Sequence, residues 1–122
     1  MAYSVLVVDR HPVVLARWSA PLRDVGYEVT ATTSFAAARH QLANRPPNLL
    51  IASSRLGSFH GLHLVVCSHL TRAHLVAIVT TPSRDPVLEA DATVFGAACV
   101  VAPASRAEVL AVVLRAFSSR PM

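Results

Sequence analysis

The chain has 122 residues, of which seven are acidic and eleven are basic, and every basic residue is an arginine. The absence of lysine excludes chemistry that needs a lysine amine, such as a Schiff base, a phosphate-loop lysine or a lysine general base. At about 100 to 150 residues per domain, this length corresponds to one compact domain. A hydrophobic fraction of 53% with 15% charged residues indicates a well-filled core and argues against disorder.

The formal net charge of +4 does not by itself indicate a nucleic-acid-binding face. The arginines are spread nearly evenly along the chain, so we expect no direct nucleic-acid binding. No apolar run approaches the roughly 18 residues that a membrane span needs, and the first residues lack the basic start of a secretion signal. Cys67 and Cys99 are too far apart for a CxxC motif and are interpreted as thiols of a cytoplasmic protein.

Short apolar runs alternate with amphipathic stretches along the whole chain. The apolar runs predict strands over residues 4–8, 27–31, 48–52, 75–80 and 99–102. Helical spacing between them predicts helices over residues 12–25, 34–44, 61–71, 86–95 and 105–118. Five such units predict a doubly wound α/β fold with one five-stranded parallel sheet and helices on both faces. We expect a single domain over 1–122, with a core over 1–118 and a tail over 119–122.

The starts of the predicted helices agree with this division. Pro12 suits a first-turn position, Ser34 suits an N-cap, and Ser105 with Glu108 three residues later forms a capping box. Pro21 falls inside the first helix, where it removes a hydrogen bond, and therefore predicts a kink or an early break.

The residues that follow the strands are where an open parallel sheet binds ligands. Asp9 and Arg10 follow the first strand, Ser53 follows the third, and Thr80 and Ala102 stand at the ends of the fourth and fifth. Asp9 is the only carboxylate in these loops, and Arg10 puts a fixed positive charge beside it. Because magnesium needs several oxygen ligands, usually including carboxylates, we expect no metal site here.

Two segments in the first half of the chain resemble response-regulator receiver domains. VLVVDRHP (5–12) has the Asp-x-His-Pro form of the transcription-regulator branch, with Arg10 where a second acid is usual. PNLLIASSRLGSFHGL (47–62) follows the third-strand motif of that family without a gap. This alignment puts Ser53 at the position of the phosphate-accepting aspartate.

Two segments in the second half extend the resemblance. IVTT (78–81) is similar to the fourth-strand motif, with Thr80 at the hydroxyl position, and GAACVVAP (96–103) is similar to the fifth-strand motif, with Ala102 in place of its lysine. The resemblance implies a flavodoxin-like (βα)5 receiver fold. It also implies a cis peptide before Pro103, which is common at this place in the family.

The departures from the family pattern decide the predicted function. Phosphoryl transfer in receivers needs an aspartate nucleophile, a magnesium ion held by acids and a lysine that pairs with the phosphorylated side chain. Ser53, Arg10 and Ala102 remove or reverse these three requirements. We therefore predict a pseudo-receiver, meaning a receiver fold without phosphoryl chemistry, enzymatic activity or a cofactor. The Asp-x-His-Pro motif favours the N-terminal regulatory part of a transcription regulator.

Two other functions stay open at this point. One is a phosphorelay receiver that is phosphorylated at a non-standard residue. The other is a sensor whose emptied acidic pocket admits a small molecule or an anion near Arg10.

Each candidate residue also has a structural interpretation. Asp9 is interpreted as an ion-pair partner of Arg10 in preference to a remnant functional acid. Ser53 and Ser54 are expected to make local backbone hydrogen bonds, as small hydroxyls in loops do. Thr80 is expected to be a strand-end hydroxyl that is satisfied by the backbone.

The third predicted helix carries a stripe of possible metal ligands. His60, His63 and Cys67 share one face, because spacings of three, four and seven residues do so on a helix. We favour a solvated face over an imidazole–thiolate metal site, since the opposite side must pack on the sheet. That opposite side consists of Leu62, Val65, Val66 and His69.

The last predicted helix has more apolar surface than a surface helix usually buries. Its core face consists of Val109, Leu110, Val113 and Phe117. Val112 and Leu114 extend this face to either side, which indicates a contact surface for a protein partner. The receiver resemblance implies a homodimer through the fourth helix, fifth strand and fifth helix, with Val112, Leu114 and Phe117 as interface candidates. The alternative is a helix that is merely rich in apolar residues.

Overall fold

The structure is a computed structural model that describes residues 3–71, 75–102 and 105–118, with the backbone alone for residues 69–71. The strands are β1 Ser4–Val8, β2 Glu28–Thr32, β3 Leu49–Ser53, β4 Val76–Thr81 and β5 Ala97–Val101. The helices are α1 Pro12–Asp24, α2 Phe35–Asn44, α3 Gly61–Thr71, α4 Pro86–Val94 and α5 Arg106–Ser118. The tail predicted over 119–122 lies outside the described residues.

The five strands form one parallel sheet in the order β2-β1-β3-β4-β5. This is the flavodoxin-like strand order, in which the chain winds first to one edge and then to the other. The predicted α/β class, the five predicted strands and the five predicted helices are confirmed, with ends that differ from the prediction by at most two residues. None of the described helices is both long and apolar enough to cross a membrane.

The helix starts follow the predicted capping chemistry. Ser34 Oγ accepts a hydrogen bond from the Ala37 N–H at 3.1 Å. Ser105 Oγ accepts from the Glu108 N–H and donates to the Glu108 carboxylate, both at 3.1 Å. The Asp85 carboxylate caps α4 by accepting from the Leu88 N–H at 3.1 Å, a cap that the sequence analysis did not name.

Helix α1 runs through Pro21 to Asp24, so the early break that Pro21 predicts does not occur. Pro21 lies in the last turn, where its missing N–H removes a single helical hydrogen bond. Trp18 and Leu22 on the same helix are fully buried against the sheet. Their packing holds the last turn in place.

The sheet separates two apolar layers. On one face, alternate strand residues such as Leu6 and Leu50 pack against α2, α3 and α4. On the other face, Val7 and Ile51 pack against α1 and α5. The central strands β1 and β3 are buried on both faces, which is why their sequences are apolar without alternation.

Candidate functional site

The ends of the strands bring the predicted site positions to one edge of the sheet. Val8 is paired with Ala52, so Asp9 and Ser53 are the next residues of neighbouring strands. Ser53 is itself paired with Thr80. On the far side of β4, the Ala102 N–H donates to the Thr81 carbonyl oxygen at 2.6 Å.

Asp9 lies one residue beyond β1 and is only 5% exposed. One carboxylate oxygen, Oδ1, accepts a hydrogen bond from the His11 backbone N–H at 2.8 Å. Burial raises the pKa of the Asp9 carboxyl above its ordinary value, while the His11 N–H and the His11 imidazole oppose that rise. The Asp9 carboxylate is therefore held by the loop that follows it and is costly to ionise.

Arg10 is exposed and is not paired with Asp9. In the described part of the chain, the ion pairs are Arg84–Glu89 and Arg106–Asp24. The interpretation of Asp9 as the ion-pair partner of Arg10 is therefore wrong. The hydrogen bond from the His11 N–H holds the Asp9 carboxylate in the loop, whereas the Arg10 side chain is exposed.

Ser53 makes the local hydrogen bonds that the sequence predicts. Ser53 Oγ accepts from the Arg55 N–H at 3.2 Å and donates to the Arg55 carbonyl oxygen at 3.3 Å. The adjacent Ser54 is buried, and its N–H donates to the Thr80 carbonyl oxygen at 2.7 Å. The position that corresponds to the phosphate-accepting aspartate is thus a hydroxyl bound to its own loop.

Thr80 and Thr81, the last two residues of β4, are both buried. Thr80 lies beside Ser53 in the sheet, as the alignment with the receiver motif implies. The neighbouring Thr81 donates from Oγ1 to the Ser83 carbonyl oxygen at 2.8 Å. A side-chain bond to the backbone of the kind expected for Thr80 is therefore present at Thr81.

Ala102 follows the last residue of β5, and its methyl side chain carries no charge. Its side chain is exposed, and its backbone N–H donates to the Thr81 carbonyl oxygen. The predicted cis peptide between Ala102 and Pro103 lies outside the described residues.

These residues do not fit a magnesium ion. The site offers one carboxylate, which already accepts the His11 N–H, and the hydroxyl of Ser53, which is bound to Arg55. Magnesium requires a nearly octahedral shell of oxygen ligands, usually with carboxylates among them. Across the described residues, no group of three or more His, Cys, Asp or Glu side chains is arranged to hold a metal ion.

The start of α3 lies directly against the end of β3. A Cβ built on Gly61 would lie 2.8 Å from the carbonyl carbon of Ser53 and closer still to its carbonyl oxygen. The Gly61 N–H donates to the Ser54 carbonyl oxygen at 3.3 Å. Only glycine fits at this contact, which the sequence analysis missed because nothing in a linear pattern shows which backbone a helix start approaches.

The loop between β3 and α3 is closed by a short hairpin that the sequence analysis also missed. The Leu56 N–H donates to the Phe59 carbonyl oxygen at 2.9 Å, and the Phe59 N–H donates back at 3.1 Å. Gly57 takes the turn with φ of +67°, and this glycine was the available signal. The Phe59 ring stacks on Phe35 of α2 at 4.3 Å, which fixes the loop against the neighbouring helix.

The predicted histidine stripe on α3 is exposed in part. His63 is exposed, whereas His60 and Cys67 are half-buried. The buried side chains among the described residues of α3 are Leu64, Val65 and Ser68. Leu62 is half-buried and packs against the same core, as expected. The expectation for Val66 is corrected to half-burial, because Leu64, Val65 and Ser68 fill the buried face of α3. The His69 side chain lies outside the described residues.

The interface candidates on α5 have different surroundings. Leu114 is 63% exposed. Val112 and Phe117 are half-buried and pack against the core, and the Phe117 ring stacks on Tyr3 at 4.5 Å and on Tyr27 at 5.9 Å. Much of the apolar excess on α5 is thus covered by the chain itself, and Leu114 is the candidate that remains open.

Comparison with known proteins agrees with this architecture. No family model and no curated protein matches the chain. Among solved structures, a CheY-like response regulator receiver domain protein from Methanospirillum hungatei is similar, with a TM-score of 0.89 and 20% identity over 97% of this chain and 95% of that one.

Two other solved structures are similar to a comparable degree. The beryllofluoride-activated NtrC4 receiver domain dimer has a TM-score of 0.86 and 21% identity over 94% of this chain and 96% of that one. NtrX from Brucella abortus has a TM-score of 0.87 and 21% identity over 98% of this chain and 27% of that one. The chain therefore has the fold of response-regulator receiver domains.

Proposed function

We propose that this chain is a pseudo-receiver that regulates by protein contact, without enzymatic activity, a bound magnesium ion or aspartyl phosphorylation. The observation that carries the proposal is the convergence of three substitutions at one edge of the sheet. Ser53 lies at the end of β3, next to the end of β1 where Asp9 and Arg10 follow. Ala102 follows β5, on the other side of β4 from Ser53. The positions of Arg10, Ser53 and Ala102 serve phosphoryl chemistry in the receiver family, and none of these three residues is of the type that this chemistry needs, although Asp9 keeps the acid of the motif.

The geometry at Ser53 argues against its use as a phosphate acceptor. A serine hydroxyl needs a base or a metal ion to become a good nucleophile. In the described structure, the hydrogen bonds of Ser53 Oγ go to the backbone of Arg55. A serine cannot form the acyl phosphate on which an aspartate-based switch relies.

The charges at this edge oppose the same chemistry. Asp9 is buried with a raised pKa, and Arg10 adds a positive charge in place of an acid that would attract a cation. Ala102 offers no ammonium group to pair with a phosphorylated side chain. The three effects act together, which supports loss of the phosphoryl function as a whole.

The surface formed by α4, β5 and α5 is the proposed contact surface. Its exposed large apolar side chains are Val87, Val94, Phe95, Val101 and Leu114. Val87 and Val94 are 72% and 78% exposed, although they lie two turns apart on one face of α4. Exposed large apolar side chains on these elements favour association with another protein. A second copy of the chain is the proposed partner, and the NtrC4 receiver dimer supports this choice.

The proposed setting is a cytoplasmic regulator. Neither Cys67 nor Cys99 forms a disulfide with another described residue, which suits a reducing compartment. The likeness to NtrX covers 27% of that longer chain, so this fold also occurs as one part of a larger protein. We propose that the larger protein in this case is a transcription regulator, as the Asp-x-His-Pro motif favours. The domain itself is proposed to make no nucleic-acid contact.

Sedimentation equilibrium tests this proposal with and without acetyl phosphate and magnesium. We expect a reversible dimer whose dissociation constant is the same under both conditions. Leu114→Asp should weaken the dimer, whereas Val13→Asp, at a residue that is 68% exposed on α1, should leave it unchanged. A dimer that strengthens with acetyl phosphate would contradict phosphorylation independence, and equal behaviour of the two variants would contradict the proposed surface.

A further inference from the structure

The side chain of His60 caps the start of α3. His60 Nδ1 accepts a hydrogen bond from the Leu62 N–H at 3.0 Å. The His60 carbonyl oxygen accepts from the His63 N–H at 2.9 Å, so both acceptor groups of this residue hold the first turn. An imidazole nitrogen accepts a hydrogen bond only while it carries no proton. The cap therefore depends on the protonation state of His60.

His60 lines a groove of about 360 Å³ between α3 and α4. The groove is lined by His60, Leu62, His63, Asp85, Val87, Leu88 and Asp91. The ionisable groups that act on His60 are His63 on α3, Asp85 at the N-cap of α4 and Asp91 on α4. Burial and the neighbouring His63 lower the pKa of His60, while Asp85 and Asp91 act in the opposite direction.

We propose that His60 is a pH-sensitive cap that holds the start of α3 when it is neutral and turns toward Asp85 and Asp91 when it is protonated. The groove supplies the space for this rotation, and the two carboxylates supply the partners for an imidazolium. The Leu62 N–H then loses its acceptor, and the first turn of α3 loosens.

The start of α3 transmits this change to the edge of the sheet. Gly61 touches the Ser53 carbonyl group without room for a Cβ, and its N–H bonds to the Ser54 carbonyl oxygen. The first turn of α3 therefore cannot move without changing the end of β3. Proton binding at His60 would therefore act on the end of β3, where the receiver family carries its phosphorylated residue. This regulation by pH is a property beyond the proposed contact function.

The direction of the pH effect follows from the lowered pKa. The neutral cap is fully present above the ordinary histidine value of 6.5. Its contribution to stability is lost as the pH falls from that value through the lowered pKa of folded His60.

Nuclear magnetic resonance of the whole chain tests the proposal in two ways. Nitrogen shifts of the His60 ring report whether Nδ1 is unprotonated at neutral pH, which the cap requires. The hydrogen-exchange protection of the Leu62 amide, corrected for the intrinsic effect of pH, should fall by about fivefold across the His60 titration, the change expected for loss of one capping bond.

Two variants separate the cap from general acid effects. His60→Asn keeps a capping acceptor that does not titrate, so the Leu62 amide should stay protected across the same pH range. His63→Gln should keep the transition and shift it to higher pH, because a like charge is removed. A Leu62 amide that stays protected while His60 titrates in the native chain would overturn the proposal. A transition that persists in His60→Asn would do the same.

Discussion

Replacing Gly61 with alanine tests the contact between α3 and the end of β3. The added Cβ would lie 2.8 Å from the Ser53 carbonyl carbon and 3.3 Å from Ala52 Cβ. Carbon atoms pack at about 3.5 to 4.0 Å, so the start of α3 has to move by about 1 Å. Because the main obstacle is backbone, no side chain can rotate away to relieve the clash.

The expected loss in the free energy of unfolding is about 3 kcal/mol. Overpacking against an unyielding neighbour costs about 3 kcal/mol. Loss of the bond from the Gly61 N–H to the Ser54 carbonyl oxygen costs about 1 kcal/mol more. The lower flexibility of alanine in the unfolded chain returns about 1 kcal/mol. For a domain of this size, the net loss lowers the melting temperature by about 12 °C.

Gly57→Ala is the matched control in the same loop. Gly57 has φ of +67°, and a Cβ there would meet nothing within 4 Å, so the cost is backbone strain without a clash. That strain costs about 2 kcal/mol and the lower flexibility of alanine in the unfolded chain offsets about 1 kcal/mol, so the melting temperature falls by about 4 °C. Thermal unfolding followed by circular dichroism compares the two. A Gly61→Ala variant that melts at or above Gly57→Ala would refute the steric argument.

Two further predictions concern the substituted edge. Because burial raises the pKa of Asp9, its contribution to stability is present below the ordinary value of 3.8 and is lost as the pH rises through the folded pKa. Asp9→Asn keeps an oxygen that accepts the His11 N–H but does not ionise, so the urea midpoint of this variant should be higher than that of the native chain at pH 7 and equal to it at low pH. A lower midpoint for the variant at pH 7 would contradict this reasoning. The triple variant Arg10→Asp, Ser53→Asp and Ala102→Lys should bind magnesium in calorimetry, whereas the native chain should not. Equal heats of magnesium binding from both chains would contradict the claim that these three residues prevent magnesium binding.

The overall fold was predictable because it depends on regular patterns. The central strands are apolar without alternation since both of their faces are covered, and the helices between them keep helical spacing. The edge of the sheet was predictable for the same reason. Carboxyl ends of parallel strands meet, so Asp9, Ser53 and Thr80 had to lie together once the strands were assigned.

The contacts that refine the site were not predictable from the pattern. The direction of the Asp9 side chain depends on the loop hydrogen bond from His11, and the tight fit of Gly61 depends on how close α3 comes to Ser53. The apolar excess on α5 is covered in part by Tyr3, which is more than a hundred residues away from its partner Phe117 in the chain. Such long-range contacts leave no periodic signal in the sequence.

Intact mass spectrometry after incubation with acetyl phosphate and magnesium tests the central claim most directly. We expect the native chain to keep its mass, because the acceptor, the metal site and the lysine are all replaced. The triple variant of Arg10, Ser53 and Ala102, treated in the same way, shows whether the fold accepts the chemistry once those residues are restored. A gain of one phosphoryl group on the native chain, mapped to Ser53 or to another residue of this edge, would contradict the account.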